Sequence, residues 1–328
     1  MITTELTYRL YEEKDLPHVL RLWEESSGWG AITEEQFHQW YLNTPYGPCI
    51  VIVASDEDDN VVGQLVFTPS HVQVTNKVLK AVRAAAPILH ESFKGGKITQ
   101  YEHPVFAMFR KGMEIAKQQG FSIIYLFPAL GWTTVLKLFP RYGLPDMQPA
   151  SYSCFSFSLQ DPSTFYPKQD DRYVELLTIP FSSEYDQLWK EAASAFPIHC
   201  GVMRNASWLN WKLGGHTVFE IRDRPTKKLS GYIAVKKETG LIVDVLAKDS
   251  NNLIKNIQAV VHTLHYQNPD RISTPYTQLN GMYSSLFQSL FPNVETINFS
   301  FAFGCCSLNE AIGAEQVSPQ NWYMMPND

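Results

Sequence analysis

The chain has 328 residues, of which 45% are hydrophobic and 18% charged, and its formal net charge is −6. That composition supports buried cores and excludes a disordered chain, and the length suits two domains better than one. An acidic balance excludes the basic stripe of a dedicated nucleic-acid binder, and no apolar run approaches the roughly 20 residues of a membrane span. Met1–Glu5 opens no basic segment leading into an apolar one, so a soluble cytoplasmic protein is expected, with neither membrane nor nucleic acid as partner. The five cysteines show no metal-ligand spacing and fit a reduced compartment. Cys305-Cys306 reads as two buried small apolar residues on a strand.

In chain order, Tyr8–Tyr11 reads as a strand. A helix carrying Leu16, Leu20, Leu22 and Trp23 follows, with Asp15 as N-cap and Pro17 in the first turn. A second helix opens at Thr33, with Gln36 at capping-box spacing. Strand Cys49–Ser55, an acidic turn at 56–60 and strand Val61–Phe67 come next, then a hairpin of His71–Thr75 and Val78–Ala85 turning at Asn76-Lys77. The apolar run Ala84–His90 leads into Phe93-Lys94-Gly95-Gly96-Lys97-Ile98. A helix then starts at Pro104 and runs to Gln119, with Gly120 just past its end. Strand Ser122–Phe127, a short helix through Val135–Phe139, Tyr142-Gly143-Leu144 and the strand Ser151–Leu159 complete a first unit.

The same order recurs after Arg172. Strand Tyr173–Thr178 is followed by helices Glu184–Ala195 and Asn205–Lys212, then by strands Val218–Arg222 and Ser230–Val235. Trp189 follows Trp23 by 166 positions, Trp211 follows Trp40 by 171, and Gly231 follows Gly63 by 168. Leu22-Trp23-Glu24-Glu25 is matched by Leu188-Trp189-Lys190-Glu191, which points to an internal duplication. Trp23 and Trp189 read as core residues. The proline- and charge-rich stretch Gln160–Asp171 has linker composition, so the expected domains are 1–160 and 172–328, joined by a linker at 161–171.

The element order, together with His90-Glu91-Ser92-Phe93-Lys94-Gly95-Gly96-Lys97-Ile98 before the central helix and Leu126-Phe127-Pro128-Ala129 after the next strand, resembles the bacterial two-domain proteins of the GNAT (Gcn5-related N-acetyltransferase) superfamily. The resemblance covers most of 5–160. It continues more loosely through 172–328, at Trp208-Leu209-Asn210-Trp211-Lys212 and Ile242-Val243-Asp244-Val245-Leu246. It implies an α/β (α+β) fold made of two tandem GNAT-like acyl-CoA N-acyltransferase units, each a mixed, mostly antiparallel sheet flanked by helices. It also implies acetyl-CoA as co-substrate and a small amine as acceptor. By the resemblance, the backbone of Ile88 and Leu89 pairs with the pantetheine amides, and Lys94, Gly95, Gly96, Lys97, Ile98 and Thr99 line the phosphates. A glycine loop at a helix N-terminus suits an anion, because backbone N–H groups and the positive end of the dipole face it. Two departures stand out: Lys97 occupies the place of a family glycine, and Thr99–His103 is inserted before the helix.

Acyl transfer to an amine needs a base for the amine proton and an acid for the leaving thiolate. Phe139 stands where the family places a donor tyrosine, which leaves Tyr142 and Tyr125 as candidate donors, each with core packing as the other account. Glu91, Glu102 and His103 lie near the loop but read as surface charges, and no residue is identified as the base. The stretch Asn321–Asp328 is apolar with an acid at its end. It reads either as a tail docked on its own domain or as the source of a carboxylate base, the arrangement of N-myristoyltransferase. Around Asp249–Ile254 the second unit has no glycine loop, and Asp249-Ser250-Asn251-Asn252 reads as a helix cap. No metal site is expected. An N-acetyltransferase and a non-catalytic CoA- or ligand-binding relative both remain open.

Overall fold

The structure is a computed structural model that describes residues 5–94, 103–128, 132–147, 149–151, 153–157, 172–178, 180–196, 198–236, 239, 241–267, 276–279, 288–289, 294–297, 302–325 and 328. The chain opens with β1 (Thr7–Leu10), α1 (Leu16–Ser26) and α2 (Glu34–Phe37), whose helical path continues through the wider turn His38–Leu42. Then come β2 (Ile50–Ser55), β3 (Val61–Val74), β4 (Lys77–Leu89), α3 (Pro104–Gln118), β5 (Ile123–Leu126) and α4 (Thr133–Leu138). The remaining elements are β6 (Ser153–Phe157), β7 (Arg172–Leu176), α5 (Glu184–Ala195), β8 (Cys200–Val202), α6 (Ala206–Leu213), β9 (Thr217–Asp223), β10 (Leu229–Lys236), β11 (Leu241–Ala247), α7 (Ser250–Gln267), β12 (Tyr276–Leu279), β13 (Val294–Ile297), β14 (Ala302–Ser307) and β15 (Trp322–Tyr323). No described helix is long and apolar enough to cross a membrane.

Local chemistry explains several boundaries. Thr33 and Gln36 form the reciprocal capping box expected from their spacing: Gln36 N–H donates to Thr33 Oγ1 at 3.1 Å, and Thr33 N–H to Gln36 Oε1 at 2.8 Å. Asp15 does occupy the N-cap position of α1, but its carboxylate does not cap the helix. It takes both ends of the Arg9 guanidinium, at 2.6 and 2.8 Å, and the Glu12 N–H. The two strands expected at 61–67 and 71–75 form one continuous strand, and Thr75 turns it back with φ +53°.

The chain divides into two compact units, residues 1–150 with 301–319 and residues 151–300 with 320–328. In the first sheet the order is β1-β2-β3-β4-β5-β14, antiparallel throughout except between β4 and β5, which are parallel. In the second it is β7-β9-β10-β11-β12-β6-β13, again with a single parallel pair, β11 with β12. Each sheet thus takes the strand beside its fifth member from the other half of the chain. Strand β6, expected to close the first unit, belongs to the second sheet, and β14 completes the first. The linker expected at 161–171 lies outside the described residues. The two landmark glycines match in register: Gly63 pairs with Leu89 and Gly231 with Ala247, each the last residue of a fourth strand.

Side chains alternate across the first sheet. Ile50, Ile52, Val82 and Ile124 face a layer built on Phe106, Phe109 and Met113 of α3. Val51, Val53, Val66 and Ile88 face Leu16, Val19 and Trp23 of α1 and Phe37 of α2. Trp23 and Trp189 are both buried, as are Cys305 and Cys306 on β14. Helix α3 lies so close to the sheet that a Cβ on Gly112 would stand 2.0 Å from the Phe67 ring. Only glycine fits there without displacing the Phe67 ring or the helix. Gly112→Ala should therefore lower unfolding stability by about 1–3 kcal/mol, the range of overpacked cores. Chemical denaturation checks this, and an unchanged midpoint would contradict it.

Candidate active site

The first unit opens where its parallel pair stops. Strands β4 and β5 pair from Ala81 with Ile123 to Ala84 with Leu126, and β4 then continues to Leu89 with only β3 beside it among the described residues. A bulge marks the parting. Gln64 pairs with Ile88 and Val66 with Ala85, so Leu65 faces two residues, Ala86 and Pro87. Ala86 has φ +49°, a left-handed conformation that costs a non-glycine residue on the order of 1–2 kcal/mol. Pro87 has no N–H to give a ladder. Bulges of this kind bend a strand and end its pairing, and they are common beside functional sites.

The parting holds a cavity of about 390 Å³, within the range of small-ligand sites. Its walls are mainly apolar: Leu65, Pro87, Leu89, Phe109, Leu126 and Trp132. Its polar members are few. Arg83, half-buried on β4, carries its guanidinium 5.2 Å above the Phe127 ring, and both residues border the cavity. Lys94 Nζ donates to Glu91 Oε1 and, at 3.3 Å, to the Ser26 carbonyl. Ser26, 8% exposed, also borders the cavity, and its Oγ is buried without a hydrogen-bond partner among the described residues. Trp29 stands at the same wall, 64% exposed. It is presented by Gly28 and Gly30, both at positive φ, and its N–H donates to Ser27 Oγ. Close by, on the α1 face of the sheet, Gln64 is fully buried between Val53 and Ile88, and neither amide atom has a partner among the described residues. Buried amides without partners are uncommon and costly.

Of the residues read from the sequence, Leu89 and Lys94 border the cavity, and Ile88 lies on the same stretch of β4 with its side chain in the α1 layer. Gly95, Gly96, Lys97, Ile98 and Thr99 lie outside the described residues, as does Glu102. The tyrosines do not border the cavity. Tyr142 is 3% exposed, packed in the core and stacked 4.6 Å from Phe106. Tyr125 is fully buried, and its hydroxyl donates to Ser70 Oγ at 3.2 Å. Phe139 is a core residue against Phe106 and Phe109. His103 caps α3 by accepting the Val105 N–H, and burial holds its pKa below the usual histidine value, which favours the neutral accepting form. Sequence reasoning passed over Arg83, Ser26 and Trp29. For Arg83 a signal was present: a charge between Val82 and Ala84 in an apolar strand.

No protein-family model and no curated protein matches the sequence. Solved structures do match in fold. A GCN5-related N-acetyltransferase from Anabaena variabilis is similar over 93% of this chain and 73% of its own, with TM-score 0.68 and 13% identity. One from Kribbella flavida is similar over 93% and 71%, with TM-score 0.63 and 14% identity. A tandem GNAT protein from the clavulanic acid biosynthesis pathway matches over 93% of this chain and 99% of its own, with TM-score 0.53 and 14% identity. The chain has the tandem GNAT fold. At these identities the likeness speaks for the fold alone.

Within that fold the second unit has filled the corresponding place with its own tail. Among the described residues β11 pairs with β12 at Leu241 with Tyr276, and further along β11 the Tyr323 hydroxyl donates to the Val245 carbonyl. Strand β15, to which Tyr323 belongs, pairs with β8. Arg204, fully buried, spans Asp244 Oδ1 at 3.3 Å and Asp328 Oδ2 at 2.6 Å, with its guanidinium 4.7 Å over the Tyr323 ring. Asp328 also accepts the Met325 N–H. The tail is therefore docked on its own unit, and the Asp328 side chain is committed to Arg204. At the start of α7, Asp249 Oδ1 accepts the Asn252 N–H at 2.9 Å, so a carboxylate of the chain itself holds the place an anion would take.

One guanidinium between two buried carboxylates leaves room for a proton. Burial pushes Asp244 up to about 7, with Arg204 opposing and Asp328 reinforcing the shift. A carboxyl raised from about 3.9 in the unfolded chain binds a proton preferentially in the folded one. Its contribution to stability is thus full below about pH 4 and is lost as pH rises through about 7. Urea unfolding should show the wild type losing more stability between about pH 5 and about pH 8 than Asp244→Asn does. Equal losses would contradict the assignment.

Proposed function

We propose that the chain is an acyl-CoA-dependent N-acyltransferase, with acetyl-CoA as co-substrate and a small amine as acceptor, and that the first unit alone carries the site. The observation that carries this reading is the parting of β4 from β5 after Ala84, which lays a strand edge along an apolar cavity. Such an edge suits the peptide-like pantetheine arm, whose amides pair with backbone as a strand would. By the resemblance, Ile88 and Leu89 meet that arm, and Lys94 to Thr99 meet the phosphates. Acetyl-CoA supplies the activated acyl group: the amine nitrogen bonds to the thioester carbon, the C–S bond breaks, and the proton lost by the amine ends on the thiol. The apolar walls of the cavity lie along the thioester's path, and Ser26 and Arg83 border the same cavity as its polar members. The packing of Tyr142 and Tyr125 favours solvent as the proton carrier for the leaving thiolate.

A second reading, a CoA-binding protein without catalysis, is favoured by Phe139, which gives no donor at the place where the family has a tyrosine. Turnover against a panel of amines separates the two, since only the first predicts thiol release that depends on an amine.

Titration calorimetry should give one acetyl-CoA site per chain, abolished by bulky replacements of Gly95 and Gly96. At a hundredfold excess over Kd, the ligand should add about 2.7 kcal/mol of stability. Two equivalent sites, or none, would contradict the reading. Tyr142→Phe should leave turnover within about threefold of wild type, whereas loss of a positioned general acid costs about a hundredfold or more.

A further inference from the structure

We propose that the layer between α1 and the sheet, where it opens on the cavity, holds a neutral hydrogen-bonding group of the acceptor, a hydroxyl or a carboxamide, and that Ser26 and Gln64 read it. This rests on the acyltransferase reading of the first unit's cleft and narrows its acceptor class. The first observation is a set of buried polar atoms. Ser26 Oγ, Trp23 Nε1 and both amide atoms of Gln64 have no hydrogen-bond partner among the described residues, and the three residues are 8%, 6% and 0% exposed. Each such group has given up water without a replacement, a cost that folds accept at sites where a ligand restores the bond.

The second observation is place. Trp23 and Ser26 stand one turn apart on α1, and Trp23 packs in one cluster with Val53, Val66 and Ile88 of the sheet. Gln64 lies between Val53 and Ile88 in the ladder and so on the same face. Ser26 and Ala86 border the cavity, and Ala86 also packs against the α1 layer, so the cavity reaches that layer at the bulge. The third is chemistry. A hydroxyl and a carboxamide each give and take hydrogen bonds, an indole N–H gives one, and none of the three carries a charge. Their complement is a neutral group that likewise gives and takes. An ion set among them would lose its water and gain no opposite charge from them.

The test uses the full chain and amines matched in shape, ethanolamine with propylamine and β-alaninamide with isopentylamine. Thiol release with acetyl-CoA is measured for wild type, Ser26→Ala and Gln64→Leu, alongside acetyl-CoA affinity by calorimetry and the urea midpoint of each protein. Wild type should favour the polar member of a pair by about tenfold or more in kcat/KM, chiefly through KM, and the pair that shows it tells a hydroxyl from a carboxamide. Both variants should cut that preference to about threefold or less at unchanged acetyl-CoA affinity. Their urea midpoints should equal or exceed that of wild type, because each variant replaces an unpaired buried polar group by an apolar one. Groups that serve only the fold, through buried water, predict lower midpoints instead. Equal rates within both pairs, a preference that survives both variants, or lowered midpoints in both would overturn the inference while leaving the acyltransferase reading intact. So would a loss confined to acetyl-CoA affinity, which would assign these groups to the pantetheine arm. If acetyl-CoA fails to bind or no amine is turned over, the acyltransferase reading fails instead. Saturation-transfer NMR with the same pairs and no cofactor then decides the site: a preference for the polar members lost in Ser26→Ala supports it, and its absence in the wild type overturns it.

Discussion

Strand β4 hydrogen-bonds to β3 along its whole length and to β5 only as far as Ala84. Parallel neighbours are joined by a long crossover and not by a tight turn, so nothing at their ends ties the two strands together and they can separate where one of them bends. The bulge at Ala86–Pro87 supplies the bend, with a left-handed alanine and a proline that cannot donate. The cavity, the strand edge along it, and the position of Arg83 just before the parting all follow from that bend. The second unit has a parallel pair in the same place and a bulge in the same strand, at Val243, yet its tail is docked there. One architecture thus appears twice, open once and filled once.

Much of the fold was legible in the sequence, because its signals are local. The capping box at Thr33 and Gln36, the helix Glu184–Ala195 and the start of α3 at Pro104 depend on residues a few positions apart. The duplication was legible because Trp23 and Trp189, and Gly63 and Gly231, recur in order, and the glycines prove to share a register position. The strand exchange was not. Residues 153–157 and 302–307 have strand composition in either unit, and their choice of neighbour is set by pairings such as Gly304 with Leu126, far apart in the chain. A boundary drawn from proline and charge content has no access to such contacts.

The site was less legible than the fold. Proline inside an apolar strand run is a bulge signal, and Ala86-Pro87 carried it without being used. With Phe139 at the family's donor position, Tyr142 and Tyr125 are the candidates the sequence offers, with core packing as the other account. Strand alternation and the turn at Pro140 direct both into packed layers instead. Arg83 is a charge inside an apolar strand run, but its place on an apolar cavity emerges only from its neighbours in space, since a charge on a strand is ordinarily at the surface. The docking of the tail could be read either way until Arg204 was seen to hold the Asp328 side chain.

The central claim is that a strand edge in the first unit, and not its counterpart in the second, receives the amide-bearing arm of acyl-CoA. Amide hydrogen exchange with and without acetyl-CoA tests it most directly, because exchange reports hydrogen bonding residue by residue. Acetyl-CoA should slow exchange in Ala85–Leu89 apart from Pro87, and leave Leu241–Ala247 unchanged. Unchanged exchange at Ala85–Leu89 under saturating acetyl-CoA, or equal protection in the two units, would contradict it.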